Sequence, residues 1–159
     1  MKRFLFCLIF MIMIVSNIDC ANGHSTSTFD FASAKKIIQE KNTAWVNAIK
    51  TGDSATMIHQ FMMDGKISPP YNDPFISRPL IAAYILKLIQ SGSQEYHFET
   101  IELYGNTDNL IEEGNYLVQD SKGSILDKGK YIAIWRLIED DWKIYSKIWN
   151  TSMPATISK

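Results

Sequence analysis

The pattern of apolar and polar residues divides the chain into a helical first half and a strand-rich second half. Over residues 29–51, apolar side chains recur about every 3.6 positions, which predicts an amphipathic helix. Gly52 suits the end of that helix, and Asp53 is placed to cap a second helix over residues 53–63. A third helix is predicted after Ser77 and ends at Gly92.

Alternating, aromatic-rich runs dominate the rest of the chain. A short strand is predicted at residues 66–68, and residues 71–76 are predicted to form a loop. Four long strands follow, at residues 96–104, 110–120, 125–138 and 142–150, with polar turns between them. Helices first and consecutive antiparallel strands after predict an α+β fold, with three helices packed on a strongly curved antiparallel sheet.

The third long strand is apolar on both of its faces. Alternation places Tyr131, Ala133, Trp135 and Leu137 on one side and Ile132, Ile134, Arg136 and Ile138 on the other. A sheet with one face in water should not show this pattern. We therefore expect the second face to be covered as well, by a pocket or by another subunit.

The first residues have the composition of an export signal. Lys2 and Arg3 precede a run of about a dozen apolar residues that is short for a membrane span. We predict a signal peptide over residues 1–23, a disordered lead-in over 24–28 and a tail over 155–159, and we expect a secreted or periplasmic protein. Cleavage after Cys20, a lipid anchor at Cys20 and an uncleaved membrane anchor are the alternatives.

Composition excludes several function classes. The only cysteines, Cys7 and Cys20, lie in or beside the predicted leader, so no disulfide is expected in the domain. With 16 Lys and Arg against 17 Asp and Glu, the chain has no basic stripe for nucleic acid. The histidines His24, His59 and His97 have no metal-ligand spacing, so no metal site is predicted.

Several short motifs, taken in order, carry a resemblance to a known family. They are Trp45 to Asp53, Phe61 to Pro70, Gly129 to Tyr131, Trp135-Arg136, Asp141 to Ile144 and Ile148 to Asn150. Over residues 29–154 the chain resembles the SnoaL-like, ketosteroid-isomerase-like domains of the nuclear-transport-factor-2-like superfamily. The resemblance implies a cone-shaped domain with an apolar cavity, no cofactor, and dimerisation through the outer face of the sheet.

The residues that the resemblance requires for steroid isomerisation are absent. Ketosteroid isomerases use an Asp base together with a Tyr and a protonated Asp. Trp45 stands where the resemblance places the Tyr, and Pro69 stands about where it places the base. If the domain is catalytic, the resemblance implies isomerase-like or lyase-like chemistry by another acid or base.

The remaining polar and aromatic residues supply the site candidates. Asp73, Glu113 and Asp127 are the candidate catalytic carboxylates, with turn chemistry or surface ion pairs as the alternative roles. Alternation points one of Glu112 and Glu113 inward. For Lys130 and Lys147, as for Asp127, both a role in the site and a surface ion pair remain as alternatives. The candidate ligand-binding residues are Trp45, Tyr71, Tyr116, Tyr131, Trp135, Trp149 and Asn150.

Two functional hypotheses follow. The first is an exported pocket domain that binds a small apolar ligand, with or without acid–base chemistry by a carboxylate. The second is a non-catalytic module that forms a homodimer or docks to another protein through the sheet. No membrane contact beyond the export signal and no nucleic-acid partner is expected.

Overall fold

A computed structural model describes residues 29–92 and 94–154 of the chain. The predicted signal peptide, lead-in and tail lie outside the described residues. The helices and strands, in chain order, are α1 (Phe31–Thr51), α2 (Ser54–His59), β1 (Phe61–Ser68), β2 (Phe75–Ile76), α3 (Arg78–Gln90), β3 (Glu95–Gly105), β4 (Asn109–Gln119), β5 (Ile125–Ile138) and β6 (Asp141–Thr151).

Side-chain caps and a left-handed glycine set the helix boundaries. Asp30 accepts hydrogen bonds from the backbone N–H groups of Ala32 and Ser33 at the start of α1. Gly52 ends α1 at a φ of 73°, a conformation that glycine adopts without steric cost. Asp53 caps α2 as predicted, accepting from the backbone N–H of Thr56.

The predicted end of the second helix, at Met63, is wrong. The helix ends at His59: Gln60 still donates its backbone N–H to Met57, but the carbonyls of Gln60 and Phe61 accept from groups outside the helix. Ile144 donates its backbone N–H to the carbonyl of Gln60, and the Arg78 guanidinium donates to the carbonyl of Phe61. The strand predicted at residues 66–68 begins earlier, at Phe61, and Gly65 lies within it, where the β1–β6 register shifts.

The six strands form one sheet in the order β2-β1-β6-β5-β4-β3. The strands β3 to β6 are consecutive and antiparallel, as predicted. However, β1 pairs with β6 in parallel, so the sheet is mixed and not wholly antiparallel. Residues Phe75 and Ile76, predicted as loop, form an edge strand against β1.

The helices cover one face of the sheet, which we call the inner face. Helix α1 contacts β3 near one edge, and α3 contacts β1 and β2 near the other. Tyr131, Ala133 and Trp135 face inward and are buried, as the alternation predicts. On the outer face Ile132 and Ile138 are 41% and 43% exposed, so the described residues leave this side of β5 uncovered.

Among the described helices, none is long and apolar enough to cross a membrane.

Candidate functional site

A cavity of about 320 Å³ lies between the inner face of the sheet and the helices α1 and α3. Its walls are mostly aromatic and aliphatic. The lining residues are Trp45, Phe61, Ile67, Tyr84, Ile85, Leu88, Gln94, Tyr96, Phe98, Tyr116, Val118, Leu126, Asp127, Tyr131, Lys147 and Trp149. Only two of these side chains carry a charge at neutral pH, Asp127 and Lys147.

Aromatic rings form one continuous wall of the cavity. Trp45 of α1 packs edge-on against Tyr96 and Phe98 of β3, at centroid distances of 5.8 and 5.4 Å. Phe98 packs edge-on against Tyr131 of β5, at 5.5 Å. Edge-to-face pairs at these distances are favourable beyond their buried area, so the wall is held together before any ligand enters.

Lys147 brings a buried ammonium group to this wall. Its side chain is 8% exposed. Its Nζ lies 4.3 Å from the ring centroid of Phe98, 4.6 Å from that of Tyr131 and 5.6 Å from that of Trp45, distances typical of cation–π contacts. Within the described part of the chain, no carboxylate oxygen lies within 4.0 Å of Nζ.

Burial lowers the pKa of Lys147 to about 8, and the negative charge of Glu112 acts in the opposite direction. Since the ordinary value is 10.5, the site disfavours the charged form. Lys147 is therefore a cation that the fold surrounds with rings but does not neutralise by direct pairing.

A β-bulge turns Lys147 inward. Strand β6 pairs Trp135 with Ile144 and then Ile134 with Ser146, so Tyr145 is an extra residue in the ladder. Plain alternation from the buried Ile144 would point Lys147 outward. The extra residue reverses the alternation, so Lys147 and Trp149 face the cavity.

Glu112 lies beside this site, completely buried, and accepts four hydrogen bonds. Its Oε1 accepts from Asn42 Nδ2, Thr100 Oγ1 and Tyr131 OH, each at 2.7 Å. Its Oε2 accepts from Trp135 Nε1 at 2.9 Å. The donors come from α1, β3 and β5, so this carboxylate joins a helix to two strands.

Burial and the neighbouring Glu112 raise the pKa of Tyr131, which keeps its hydroxyl protonated and donating. The four donors equal the number of lone-pair sites on a carboxylate, with three of them sharing Oε1 and one at Oε2. Glu112 is thus a structural group, and the inward member of the Glu112–Glu113 pair is not an unpaired acid or base.

Glu112 and Lys147 share one row across the sheet. Lys147 pairs with Ala133, and Ala133 pairs with Glu112. Their backbones are two strands apart, about 10 Å at ordinary strand spacing. The small Ala133 between them leaves room for the aromatic rings beside both charges.

Asp127 is the second charged group of the cavity, and its oxygens are also engaged. It accepts from Tyr116 OH at 2.8 Å and from Thr151 Oγ1 at 2.6 Å. Burial, followed by the bond to Asp127, raises the pKa of Tyr116. Tyr116 and Asp127 both line the cavity, and they are hydrogen-bonded to each other there.

The structure brings four of the predicted ligand-binding residues together: Trp45, Tyr116, Tyr131 and Trp149 all line the cavity. Trp135 is fully buried and donates to Glu112, outside the cavity lining.

Four other candidates lie elsewhere. Tyr71 is 88% exposed, and Asp73 is exposed in the same loop. Glu113 points outward and accepts from Tyr104 OH at 2.8 Å. Asn150 is exposed, and together with Glu113 it lines a groove of about 590 Å³ on the outer face. Tyr71 and Asp73 do not reach the cavity because their loop leaves the sheet. Glu113 and Asn150 do not reach it because strand alternation turns their side chains outward.

Two features escape a reading of the sequence. Glu112 could be found only as one of two adjacent carboxylates, with no signal for which one is inside. Lys147 lies between the polar Ser146 and the apolar Ile148, and only the bulge decides its direction. Among the described residues, no group of three or more His, Cys, Asp or Glu side chains is placed to hold a metal ion.

No protein-family model and no curated protein sequence matches the chain. Solved structures do match. An NTF2-like (nuclear-transport-factor-2-like) protein with a cystatin-like fold from Novosphingobium aromaticivorans has a TM-score of 0.68 at 12% identity, over 79% of this chain and 86% of that one. A ketosteroid isomerase-like protein from Erwinia carotovora atroseptica gives 0.63 at 14% identity, over 79% and 100%.

A third structure, from Catenulispora acidiphila in complex with S-DNPA, has a TM-score of 0.63 at 15% identity, over 76% of this chain and 94% of that one. Likeness at such low identity establishes the fold and not the activity. The chain therefore has the cystatin-like α+β fold of NTF2-like proteins, which is the fold that its sequence resemblance implies.

Proposed function

We propose that the domain binds a small, mainly apolar molecule in its cavity, with a hydrogen-bond-accepting group of that molecule held at Lys147. One observation carries the proposal: Lys147 is a buried cation on the cavity wall with three rings around it, and no carboxylate of residues 29–92 or 94–154 lies within 4.0 Å of its Nζ. An unpaired buried charge costs free energy, and a fold retains one most readily where a bound ligand supplies the missing hydrogen-bond partner.

The size and lining of the cavity support this proposal. A volume of about 320 Å³ is at the lower end of the range for small-molecule sites, which are typically apolar with a few placed polar groups. Asp127 already accepts from Tyr116 and Thr151, whereas the ammonium group of Lys147 is in no salt bridge among the described residues and can donate to a ligand. The aromatic walls favour flat, apolar molecules, and Lys147 favours a ligand with a hydrogen-bond-accepting group.

Acid–base catalysis of the ketosteroid isomerase type has less support than binding. Trp45 replaces the expected tyrosine and contributes its ring to the cavity wall. Glu112 is saturated by four donors. The structure from Catenulispora acidiphila in complex with S-DNPA supports small-molecule binding by a protein of this fold, although S-DNPA is the ligand of that protein. We further propose that the domain acts outside the cytoplasm, on the strength of the leader sequence alone.

Binding can be tested by calorimetric titration with 2-naphthoate, whose two rings and single anionic group fit the proposed site. We expect one binding event per chain, and Lys147→Met should weaken it by about 10-fold to 100-fold, since hydrogen bonds to charged groups contribute about 1.5–3 kcal/mol. Lys130→Met, on the outer face of β5, is the matched control and should leave affinity unchanged. Neutral 2-methoxynaphthalene should bind both proteins almost equally. Equal naphthoate affinity in Lys147→Met and wild type would refute the proposal.

A second candidate function is association through the outer face of the sheet. Ile132 and Ile148 are direct cross-strand partners and are 41% and 51% exposed, and Ile101 nearby is 54% exposed. Sedimentation velocity would test for a homodimer. Ile132→Lys should then yield a monomer, whereas Leu80→Lys, an equally exposed position on α3, should not. A wild-type monomer at high concentration would exclude the dimer.

A further inference from the structure

The free amine of Lys147 is suited to a covalent reaction as well as to donating a hydrogen bond to a ligand. We infer that Lys147 forms a reversible imine with the carbonyl group of an aromatic or otherwise apolar aldehyde or ketone bound in the cavity. This inference rests on the proposed function, since the carbonyl compound must first enter the cavity, and it narrows the ligand to a chemical class.

Position is the first support. A lysine can attack a carbonyl only if its nitrogen faces the ligand and is not held in an ion pair. Lys147 lines the cavity, and the described residues place no carboxylate oxygen within 4.0 Å of Nζ. The rings of Phe98, Tyr131 and Trp45 surround the nitrogen without offering a lone pair that would fix it.

The neighbouring carboxylates do not compete for the amine. Glu112, the nearest in the row across the sheet, is occupied by Asn42, Thr100, Tyr131 and Trp135. Asp127 on the same cavity is occupied by hydroxyl donors. The fold thus satisfies its two inward acids with neutral donors and leaves its inward base free.

The protonation state agrees with this geometry. Burial lowers the pKa of Lys147 to about 8, so near pH 8 about half of the side chains are neutral and nucleophilic, whereas an exposed lysine is almost wholly charged there. The titratable groups that face or share its cavity are Glu112 and Tyr116 on β4, Tyr131 and Asp127 on β5, Tyr96 on β3 and Tyr84 on α3.

The step balances without any further reactant. The neutral Nζ forms a bond to the carbonyl carbon, and one nitrogen proton moves to the carbonyl oxygen, giving a carbinolamine. The carbon–oxygen bond then breaks, and the oxygen leaves as water with the second nitrogen proton, so that a carbon–nitrogen double bond remains. An apolar cavity favours this loss of water, because little water is present to reverse it.

The test is reductive trapping of the full chain with 2-naphthaldehyde and sodium cyanoborohydride, followed by intact-protein and peptide mass spectrometry. Hydride adds to the imine carbon and makes the bond permanent. We expect a single adduct at Lys147, formed at pH 7 at least about tenfold faster than at any other lysine, as the lowered pKa dictates. Lys147→Met should lose this fast adduct, and Lys130→Met should retain it.

Two further readouts keep the result interpretable. Excess 2-naphthoate should slow labelling of wild-type Lys147 but not of the surface lysines, which requires no variant to fold. The labelling rate of Lys147 should level off above about pH 8, while the rates of the surface lysines continue to rise.

Slow labelling spread evenly over the lysines, or an equally fast adduct in Lys147→Met, would overturn the imine. If 2-naphthoate still binds in that case, only this inference fails. If neither naphthoate nor the aldehyde binds, the proposed binding function fails with it.

Discussion

Replacing Glu112 by alanine removes the acceptor that four buried donors share. Asn42 Nδ2 and Trp135 Nε1 can only donate, and both residues are buried, at 7% and 0% exposure. Each buried donor left without a partner costs about 1–3 kcal/mol, so these two alone cost about 2–6 kcal/mol. The hydroxyls of Thr100 and Tyr131 can rotate toward other acceptors and add less.

Lys147 would also lose the negative charge in its own row of the sheet. Glu112 favours the charged form of Lys147 without an ion pair, so this loss adds little to the cost of the unpaired donors. We therefore expect Glu112→Ala to lower the free energy of unfolding by about 4 kcal/mol, a large part of a single domain's stability. Glu112→Gln keeps one acceptor oxygen and the shape, so about half of that loss is expected.

Urea unfolding at pH 7 measures the effect as a shift of the midpoint at constant slope. Glu113→Ala is the matched control, since the Glu113 carboxylate is next to Glu112 in the chain but faces outward. Removing the Glu113 carboxylate should change the free energy of unfolding by no more than about 0.5 kcal/mol. The double variant Glu112→Ala with Lys147→Met should lose less than the sum of the single changes. If Glu112→Ala is no more destabilising than Glu113→Ala, the structural role assigned to Glu112 is wrong.

Three further predictions concern the same inner face. Because the pKa of Lys147 falls from 10.5 to about 8 on folding, the unfolded chain binds more protons at Lys147 between these values, which favours the folded state as pH rises. The urea midpoint of the wild type should therefore rise relative to that of Lys147→Met from pH 8 to about pH 10, while the raised pKa of buried tyrosines such as Tyr116 and Tyr131 lowers stability in both proteins near pH 10. Gly114→Ala would place a methyl group against Cζ of Tyr131, so the ring must shift; a thermal-melt loss of about 1–3 kcal/mol is expected, and an unchanged melting temperature would contradict the packing. Tyr116→Phe removes the 2.8 Å bond to Asp127 and should cost about 1–2 kcal/mol in urea unfolding, whereas no loss would show that this bond is not made.

The sequence was a sound guide where the hydrophobic period and a local cap agree. Helix α1 and the capped start of α2 follow from their apolar spacing and from Asp53. The facing of β5 follows from strict alternation, which places Tyr131 and Trp135 inside. The run of four antiparallel strands follows from their polar turns.

The prediction of helices and strands from the sequence failed where a contact distant in sequence overrides the local pattern. The residues after His59 continue an apolar spacing typical of helix, yet pairing with β6 and the Arg78 contact to Phe61 make them a strand. Pairing of β1 with Phe75 and Ile76 also turns a predicted loop into an edge strand.

The direction of Lys147 could not be predicted from the sequence for a related reason. Alternation fixes which residues share a face, but a bulge exchanges the faces, and no residue type marks the one at Tyr145. Lys147 therefore reads as a surface lysine until the register is known. The aromatic residues of the cavity were easier to predict, because rings such as Trp45 and Trp149 are rarely left in water.

The most direct test of the account is a crystal structure of the protein with 2-naphthoate. The account predicts the naphthalene rings inside the cavity, between Trp45, Tyr84 and Trp149, with a carboxylate oxygen within hydrogen-bond distance of Lys147 Nζ. Ligand found only in the outer groove beside Ile132, or a cavity that stays empty at saturating ligand, would contradict it.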